Sequence, residues 1–439
     1  MEQGKRTQLT VQRERAVLAA CLLPGYTGDP HDPLGELRAL ADSAGAIVVD
    51  ELIQHRQSPD PGTLLGKGKV QELAEMVKAR QADVVIFEND LSPSQIANIE
   101  EVVGCKVLDR SELILDIFAA RARTHEAKLQ VELAQLEYTY PRLRAMWTHL
   151  ERIAGGAPTG IGTRGPGEQQ LEIDRRIVQR KKAELKREIA TIQKRKEREV
   201  AIRNKDFFTV GLVGYTNAGK STLFNTATGA GTYANDQLFA TLSTLTRKWE
   251  LGQGDVVMLS DTVGFVRDLP HHLVASFKAT LEEATRSDLL LIVLDVSHPR
   301  ARQQLETVMQ VLDDIGATDQ ERVLILNKID LLEHNADLLV WQQEYPNAIP
   351  ISARTGRGMD QLVEYVRSVL HRGEQNLRLA VPLRHGKAIN FIENHATVHD
   401  RQYEGDEVIF DVRIGARQLA QLRALGGPLR IEATQPQSP

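Results

Sequence analysis

The segment TVGLVGYTNAGKSTLFN, residues 209–225, constrains the fold of this chain more than any other. A short apolar run leads into the pattern G-x-x-x-x-G-K-S, which closes on Ser221, and apolar residues at helical spacing follow it. This order is typical of the strand, glycine-rich loop and helix of a P-loop, in which backbone N–H groups and the helix N-terminus bind phosphates. It predicts a nucleoside triphosphate site in which Lys220 reaches the terminal phosphates and Ser221 ligates Mg²⁺.

A second motif, Asn327-Lys328-Ile329-Asp330, follows an apolar strand and defines the base. The carboxylate of Asp330 can accept hydrogen bonds from N1–H and the exocyclic amine of guanine. Adenine offers neither donor at that edge of the base, so it would leave the carboxylate unpaired. The aliphatic part of Lys328 would cover the base, and Ser352-Ala353 ends another strand where a backbone N–H can meet the guanine O6. Together with the P-loop, these motifs predict a GTP site.

Upstream of the P-loop, short apolar runs alternate with helical periods. The predicted strands are Ala16–Leu23, Ala46–Leu52, Asp83–Phe87 and Lys106–Leu108, and the predicted helices are Pro33–Ser43, Lys69–Arg80 and Ser92–Glu100. This order predicts a small parallel α/β domain over residues 1–109. Within it, Gly66-Lys67-Gly68-Lys69 precedes a helix; we favour a flexible turn over a second phosphate or RNA contact.

Residues 110–205 carry two heptad seams. Apolar residues recur at intervals of four and three from Leu129 to Leu150, and at intervals of seven from Leu171 to Ile192. Two seams joined by a loop predict an antiparallel helical hairpin, and a parallel dimer zipper is the weaker alternative because each seam is short. Pro141 lies inside the first seam, so we expect it to kink or split that helix.

The second seam is strongly basic. Between Asp174 and Lys205 there are thirteen Lys and Arg and five acidic residues, a local charge of +8 in a chain whose net charge is −5. A charged helix face is usually only solvated, but this excess of one sign is too large for pairs along the helix to neutralise. An extended basic rod attracts phosphate backbones through counterion release. The predicted nucleic-acid contacts are Arg164, Arg175, Arg176, Arg180, Lys181 and Lys182.

The loop between the seams, residues 155–167, contains six glycines, two prolines and Arg164. It is either a flexible linker or bare backbone that inserts into a crowded RNA surface. The segment GGAPTGIGTRGPGEQQLEIDRR resembles the signature of the HflX family of bacterial GTPases, with Gln169 where that signature has Thr. The resemblance covers nearly the whole chain, with an α/β domain, a helical hairpin and a G domain in the same order.

The resemblance implies a GTPase that binds the large ribosomal subunit and its rRNA and that splits or rescues stalled ribosomes, notably under heat stress. The metal site is predicted from a further motif of the G domain, which follows the strand Val256–Leu259. Asp261 in Asp261-Thr262-Val263-Gly264 is the expected indirect Mg²⁺ anchor, and the Gly264 N–H should meet the γ-phosphate. In switch I, between residues 229 and 245, Thr241 or Thr244 could be the second Mg²⁺ ligand, and the Phe-Ala lead of the family favours Thr241.

The predicted GTP-binding residues lie in five segments. They are Gly214, Tyr215, Thr216, Asn217, Ala218, Gly219, Lys220, Ser221, Thr222, Phe239, Ala240, Thr241, Leu242, Asp261, Thr262, Val263, Gly264, Asn327, Lys328, Ile329, Asp330, Ser352, Ala353 and Arg354. Of these, Lys220, Thr241 and Gly264 are the predicted catalytic groups, and Ser221, Thr241 and Asp261 the predicted Mg²⁺ ligands. Asn217 also resembles a position that binds K⁺ in related GTPases, which makes K⁺ a candidate cofactor.

The residue after Gly264 raises a question about catalysis. Many GTPases have a glutamine there that orients the attacking water, whereas this chain has Phe265, which cannot hydrogen-bond to water. We therefore predict slow intrinsic hydrolysis that accelerates when the ribosome orders the switches. Two alternatives remain: a nucleotide-gated RNA-binding module in which hydrolysis only resets the tether, and an ATP-dependent RNA-remodelling activity in the first domain.

The predicted fold is α/β throughout most of the chain. A P-loop G domain with a mixed, mostly parallel sheet spans residues 206–373, and a small α+β domain without a catalytic constellation spans residues 374–439. Neither a signal peptide nor a membrane span is expected, because no apolar run approaches about 18 residues. The two cysteines, Cys21 and Cys105, lie in apolar runs and have no metal-ligand spacing. We expect a cytoplasmic monomer.

Overall fold

The structure is a computed structural model that describes residues 13–26, 28–153, 166–229, 239, 244–267, 286–317, 320–426 and 429–433. The predicted site residues Arg164, Ala240, Thr241 and Leu242 lie outside these ranges. The chain divides into two compact units, Met1–Met359 and Asp360–Pro439.

The first sheet of the larger unit is parallel, with the strand order β2-β1-β3-β4. Its strands are β1 (Arg15–Leu22), β2 (Ile47–His55), β3 (Val84–Phe87) and β4 (Lys106–Asp109). The helices that follow them are α1 (Gly35–Ser43), α2 (Lys67–Arg80), α3 (Pro93–Val103) and α4 (Arg110–Arg121). Strands β1 and β3 are buried along almost their whole length, which explains their continuous apolar sequence. The predicted parallel α/β arrangement is confirmed.

Local capping fixes where two of these helices begin. The Ser92 hydroxyl accepts from the Gln95 N–H, and the Gln95 side chain accepts in return from the Ser92 N–H, with Pro93 at the first helical position. At the start of α4, the Asp109 carboxylate accepts from the Glu112 N–H at 2.9 Å. Helix α4 then packs on the first sheet through buried apolar residues that include Ile114.

Helices α5 (His125–Ile153) and α6 (Pro166–Asp206) form the predicted antiparallel hairpin. Leu129 and Leu133 of α5 pack against Leu185 and Ile189 of α6. Lysines of α6 form ion pairs with glutamates of α5, namely Lys181–Glu132, Lys182–Glu137, Lys186–Glu137 and Lys196–Glu126. The His125 ring also forms a hydrogen bond with Glu188. Residues near the start of α5 thus pair with residues far along α6, as in an antiparallel hairpin. The seam therefore closes within the chain.

Of the two expectations for Pro141, the split is wrong, because α5 runs without interruption from His125 to Ile153, and the kink stays a prediction. A proline removes one hydrogen bond from the backbone ladder and disturbs the preceding turn, at a cost of about 3 kcal/mol. The helix keeps its remaining ladder and the seam with α6, and this packing outweighs the local penalty.

The G-domain sheet has the strand order β10-β9-β8-β5-β7-β6. Its strands are β5 (Thr209–Gly214), β6 (Leu245–Gly252), β7 (Asp255–Asp261), β8 (Leu289–Asp295), β9 (Glu321–Asn327) and β10 (Ile349–Pro350). Its helices are α7 (Lys220–Thr228), α8 (Ala301–Asp314) and α9 (Asn335–Glu344), with a 3₁₀ turn at Ile329–Leu331. All strand pairs are parallel except β6–β7, so the mixed, mostly parallel sheet is confirmed.

The smaller unit includes helix α10 (Met359–Leu370) from its second residue onward. Its remaining elements are β11 (Gln375–Pro382), α11 (Gly386–His395), β12 (Thr397–Glu404), β13 (Glu407–Ile414), α12 (Ala416–Ala424) and β14 (Arg430–Ala433). The antiparallel sheet has the order β12-β13-β11-β14, which gives a split β-α-β topology. The predicted α+β module is confirmed. Across the part of the chain that the structure describes, no helix is long and apolar enough to cross a membrane.

Candidate active site

The predicted nucleotide motifs meet at one edge of the G-domain sheet. The P-loop follows β5, the Asp261–Gly264 motif follows β7, the Asn327–Asp330 motif follows β9, and Ser352-Ala353 follows β10. These four strands are parallel members of one sheet, so their carboxyl ends lie at the same edge. This edge is where open α/β sheets bind their ligands.

Two glycines shape the P-loop, and each is required for a steric reason. Gly214 has φ 153°, and a Cβ there would lie 2.2 Å from the Val293 carbonyl oxygen. Gly219 has φ 93° and precedes α7, and a Cβ there would lie 2.3 Å from Nδ2 of Asn327. The loop therefore passes close to two neighbouring strands, β8 and β9, at positions where only glycine fits.

Lys220, the first residue of α7, is buried in the loop. Its Nζ donates to the carbonyl oxygens of Gly214 at 3.1 Å and Tyr215 at 2.8 Å. Burial lowers the pKa of Lys220 to about 8, although the charge of Asp261 opposes this shift. The ammonium is thus held by neutral carbonyls, which prepares it to meet an anionic phosphate.

Ser221 and Asp261 lie together beside Lys220. The Ser221 hydroxyl donates to Oδ2 of Asp261 at 2.8 Å, and Asp261 is only 1% exposed. A hydroxyl and a carboxylate are hard oxygen donors of the kind that Mg²⁺ takes together with water and phosphate oxygens. These two residues therefore fit a Mg²⁺ ion bound jointly with a nucleotide.

Phe265 ties the P-loop to the segment after β7. Its backbone N–H donates to the Gly214 carbonyl at 3.1 Å, and its carbonyl accepts from the Thr216 N–H at 2.7 Å. Its ring lies in the apolar core, 4% exposed. Gly264 is packed closely here, because a Cβ would lie 2.9 Å from Nζ of Lys220. The side chain that follows Gly264 is thus part of the core and carries no group that could orient water.

Asn327 joins the base-binding segments to the P-loop. Its Nδ2 donates to the Ala218 carbonyl at 2.8 Å, and its Oδ1 accepts from the Ala353 N–H at 3.0 Å. Ala353 is held from its other side as well, because its carbonyl accepts from the Thr226 hydroxyl at 2.7 Å. Asp330 lies in the 3₁₀ turn after β9 and is exposed, as a carboxylate that meets a base must be.

Three family models match consecutive parts of the chain. They are a GTP-binding GTPase N-terminal region over residues 31–119, a GTP-binding GTPase middle region over residues 121–203, and a 50S ribosome-binding GTPase over residues 209–328. The GTPase HflX of Lacrimispora saccharolytica is 39% identical over 93% of this chain and 95% of its own length. The GTPase HflX of Escherichia coli is 44% identical over 87% of this chain and 90% of its own.

The chain belongs to the HflX family of GTPases. The resemblance seen in the glycine-rich signature is confirmed, and so is the prediction of a GTPase. A solved structure of a GTP-binding protein from the hyperthermophilic archaeon Sulfolobus solfataricus, in complex with GDP, aligns with 81% of this chain and 98% of its own at 24% identity and a TM-score of 0.44.

Asp295, the last residue of β8, was not among the site residues that the sequence of this HflX-family protein predicted. Its Oδ2 lies 2.8 Å from Nζ of Lys328, whose backbone adopts the left-handed conformation with φ 64°. The ion pair holds the lysine stem in place beside the base-binding segment. An acidic residue at the end of a strand, directly after six apolar residues, was the available signal, because such positions lie at the ligand-binding edge.

A buried network of charged and hydrogen-bonded side chains, which was not predicted from the sequence either, joins the first domain of this HflX-family protein to the G domain. The Tyr215 hydroxyl donates to Oε1 of Glu36 at 2.6 Å and accepts from the Arg267 N–H at 2.7 Å. Nη1 of Arg110 lies 2.9 Å from Glu88, and Nη2 lies 3.1 Å from Glu36. Burial raises the pKa of Tyr215, and the Glu36 charge raises it further, so the hydroxyl stays protonated.

The predicted nucleic-acid contacts of the hairpin fall into two groups. Lys181 and Lys182 each lie 3.5 Å from a glutamate of α5. Arg176, Arg180 and Lys181 are exposed on the surface of α6. The side chain of Arg175 is outside the described part of the helix. Acidic residues of α5 therefore offset part of the positive charge of α6.

The lysines of the first domain that raised the possibility of a second phosphate site form part of a helix. Lys67, Gly68 and Lys69 are the first residues of α2, not a flexible turn. Nζ of Lys69 lies 2.8 Å from Oε1 of Glu72, one turn further along the same helix. This lysine is thus paired within its own helix.

Proposed function

We propose that this GTPase binds the large ribosomal subunit and its rRNA, hydrolyses GTP slowly on its own and faster when bound, and splits or rescues stalled ribosomes. The buried ring of Phe265 is the observation that carries the proposal, because the position after Gly264 holds no water-orienting group. A partner that orders the switches would supply what the site lacks. The G-domain family description, a 50S ribosome-binding GTPase, supports the identity of that partner.

The metal chemistry of the proposal uses three oxygen donors. Ser221 and Asp261 are the pair that fits Mg²⁺, and Thr241 of switch I is the proposed further ligand. Bound Mg²⁺ neutralises developing charge on the β- and γ-phosphates. The exposed Asn217, with φ 59°, is the proposed K⁺ contact. Replacing K⁺ with Na⁺ should lower the hydrolysis rate; an unchanged rate would remove K⁺ from the proposal.

Single-turnover GTP hydrolysis with and without purified large subunits tests the proposal directly. We expect a large increase in rate with the subunit, and equal rates would contradict it. Sedimentation with subunits in GTP, GDP or ATP then measures which nucleotide supports binding. Failure to co-sediment with the large subunit in GTP would also contradict the proposal.

Ribosome dissociation measured with GTP and with a non-hydrolysable GTP analogue distinguishes the step that binding drives from the step that hydrolysis drives. If the analogue dissociates ribosomes as well as GTP does, hydrolysis serves release of the GTPase from the subunit. If GTP alone dissociates them, hydrolysis drives the separation. No dissociation with either nucleotide would restrict the function to binding.

The hairpin part of the proposal predicts a salt dependence. Arg180 and Arg187 are exposed on α6, so we expect them to contact phosphates and to release counterions on binding. Arg180→Gln and Arg187→Gln together should weaken subunit binding and make the slope of log K against log salt shallower by about two. Arg195→Gln is the matched control, because Glu199 pairs with this cation at 2.9 Å along the same helix.

A further inference from the structure

Helix α4 of the first domain touches segments that flank the nucleotide on two sides. At its first residue, Nη2 of Arg110 donates to the carbonyl oxygen of Arg267 at 3.0 Å, three residues after Gly264. Near its last turn, the ring of Phe118 meets the ring of Phe239 edge-on, with centroids 4.6 Å apart and planes at 71°. Phe239 belongs to the switch I segment and is 2% exposed. Helix α4 therefore contacts both the switch I segment, at Phe239, and the segment that follows Gly264, at Arg267.

The segment from Gly264 to Arg267 is held at both ends. Phe265 is bonded to the P-loop backbone, while Arg267 donates its N–H to Tyr215 and accepts from Arg110. Gly264, whose N–H is the expected γ-phosphate contact, directly precedes the held residue Phe265. A shift of Arg110 therefore displaces the segment that senses the γ-phosphate.

The charges of this region are balanced and buried. Arg110 is 4% exposed between Glu36 and Glu88, and Arg267 contacts both of the same carboxylates. Removing one member leaves a partner charge buried without full compensation, which is strongly unfavourable. Because Arg110 and Arg267 share the same two carboxylates, a change at one of the four groups disturbs the other three.

The other end of the connection lies in the hairpin. The Tyr138 hydroxyl on α5 donates to Oδ1 of Asp109, the residue that caps α4 and directly precedes Arg110. Oδ2 of Asp109 accepts from the Leu91 N–H at 3.2 Å. Tyr138 is 8% exposed, so its ring is packed and cannot move without the helix. A displacement of α5 is thus passed to the start of α4.

We propose that Arg110 is a positioning residue for GTP hydrolysis, and that α4 carries displacement of the hairpin from Tyr138 through Asp109 and Arg110 to the Gly264–Arg267 segment. This inference rests on the proposed function, in which rRNA engages the hairpin. The stimulation of hydrolysis is thus assigned to a mechanical connection within the larger unit. The hairpin and the nucleotide site both act on the position of one element, helix α4.

The first test measures hydrolysis. Tyr138→Phe keeps the ring and removes only the hydroxyl, so it should leave basal hydrolysis and co-sedimentation unchanged. It should lower stimulation by the large subunit about tenfold. Arg110→Gln should lose stimulation to a similar degree, and Arg110→Lys should recover part of it. Arg38→Gln on α1, an exposed arginine paired with Asp32 and Glu51, is the matched control and should behave as the wild type.

The double variant tests whether the two residues act in one connection. The Tyr138→Phe/Arg110→Gln double variant should lose no more stimulation than either single variant. If the two residues acted independently, the fold losses of the single variants would multiply in the double variant. Multiplicative losses, or a Tyr138→Phe variant stimulated like the wild type, would overturn the proposal.

A second measurement needs no ribosome. Amide hydrogen exchange of residues 264–267 in the full chain should be faster in Tyr138→Phe than in the wild type or in Arg38→Gln. The Tyr138 hydroxyl bonds to Asp109 and to none of these residues, so faster exchange would report the connection through α4. Unchanged exchange would overturn the connection even where the subunit stimulates the wild type. Conversely, if the large subunit does not stimulate hydrolysis by the wild type, the proposed function is wrong. Faster exchange in Tyr138→Phe would even then support the connection through α4. Urea unfolding of each variant identifies any loss that comes from global instability.

Discussion

Nδ2 of Asn327 donates a hydrogen bond to the carbonyl oxygen of Ala218 at 2.8 Å, so the base-recognition motif supports the phosphate loop directly. The same side chain accepts from the Ala353 N–H. Base and phosphate binding therefore share one buried residue.

Replacing Asn327 with Ala should destabilise the nucleotide-free protein and weaken GDP binding together. The change leaves the Ala218 carbonyl and the Ala353 N–H short of a buried partner, at a cost of about 1–3 kcal/mol for each group. Urea unfolding and fluorescent-GDP titration measure the two effects. Asn394→Ala is the control, since Asn394 is exposed and bonds only to Asn390 one turn earlier. Equal losses in both variants would contradict the shared role.

Gly219 and Gly229 flank the same helix, α7, and both have positive φ, at 93° and 63°. Alanine should cost about 1–2 kcal/mol of backbone strain at each site. Only at Gly219 would the added Cβ meet another group, Nδ2 of Asn327. We expect Gly219→Ala to lose at least about tenfold in GDP affinity and Gly229→Ala to keep it, although both melt at lower temperature. Calorimetric titration and thermal unfolding of the pair separate clash from strain.

Asp330→Asn should exchange the base preference of the site. The introduced amide N–H₂ would face the exocyclic amine of guanine, which places two hydrogen-bond donors against each other. Xanthine has an oxygen at the same ring position, which can accept from the amide. We expect GTP affinity to fall by about a hundredfold or more and xanthosine triphosphate to bind in its place. Competition binding measures the switch. Asp337→Asn, an acidic residue in the first turn of α9, should leave both affinities unchanged.

Nucleotide binding should take up a proton above about pH 8. Burial lowers the pKa of Lys220 to about 8 from the usual 10.5, so the folded, nucleotide-free protein releases a proton that the unfolded chain still holds between these values. The free energy of unfolding therefore rises with pH in that window, and below pH 8 the penalty is constant. Phosphates favour the ammonium form, so GDP affinity should fall as the pH rises above about 8.

Titration calorimetry of GDP in two buffers with different ionisation enthalpies measures this uptake. Little uptake is expected at about pH 7 and close to one proton at about pH 9. The same uptake at both pH values would contradict the assignment to Lys220.

The parts of the structure that were predicted from the sequence are those encoded locally. The P-loop and the Asn327–Asp330 motif work through residues within a few positions of each other, so spacing alone indicates their chemistry. The hairpin was predictable for a similar reason, because a heptad repeat defines the face that must be buried. Pro141 shows the limit of local rules, since a penalty in one turn does not decide a helix that packs along another.

The contacts between domains could not be predicted in this way. Glu36, Glu88 and Arg110 come from three separate elements and meet two residues of the G domain, Tyr215 and Arg267. In the sequence, each looks like an ordinary surface charge or aromatic residue. Their burial follows only from the packing of the first domain on the G domain, which local periodicity does not encode.

The balance of two carboxylates and two guanidinium groups in this network also restricts how the chain can vary. A change at Glu36 or Glu88 leaves an excess of positive charge that only a matching change at Arg110 or Arg267 can cancel. These positions should therefore be substituted jointly or not at all among relatives. A chimera that takes its first domain from one relative and its G domain from another should fold only if both halves of the set are inherited together.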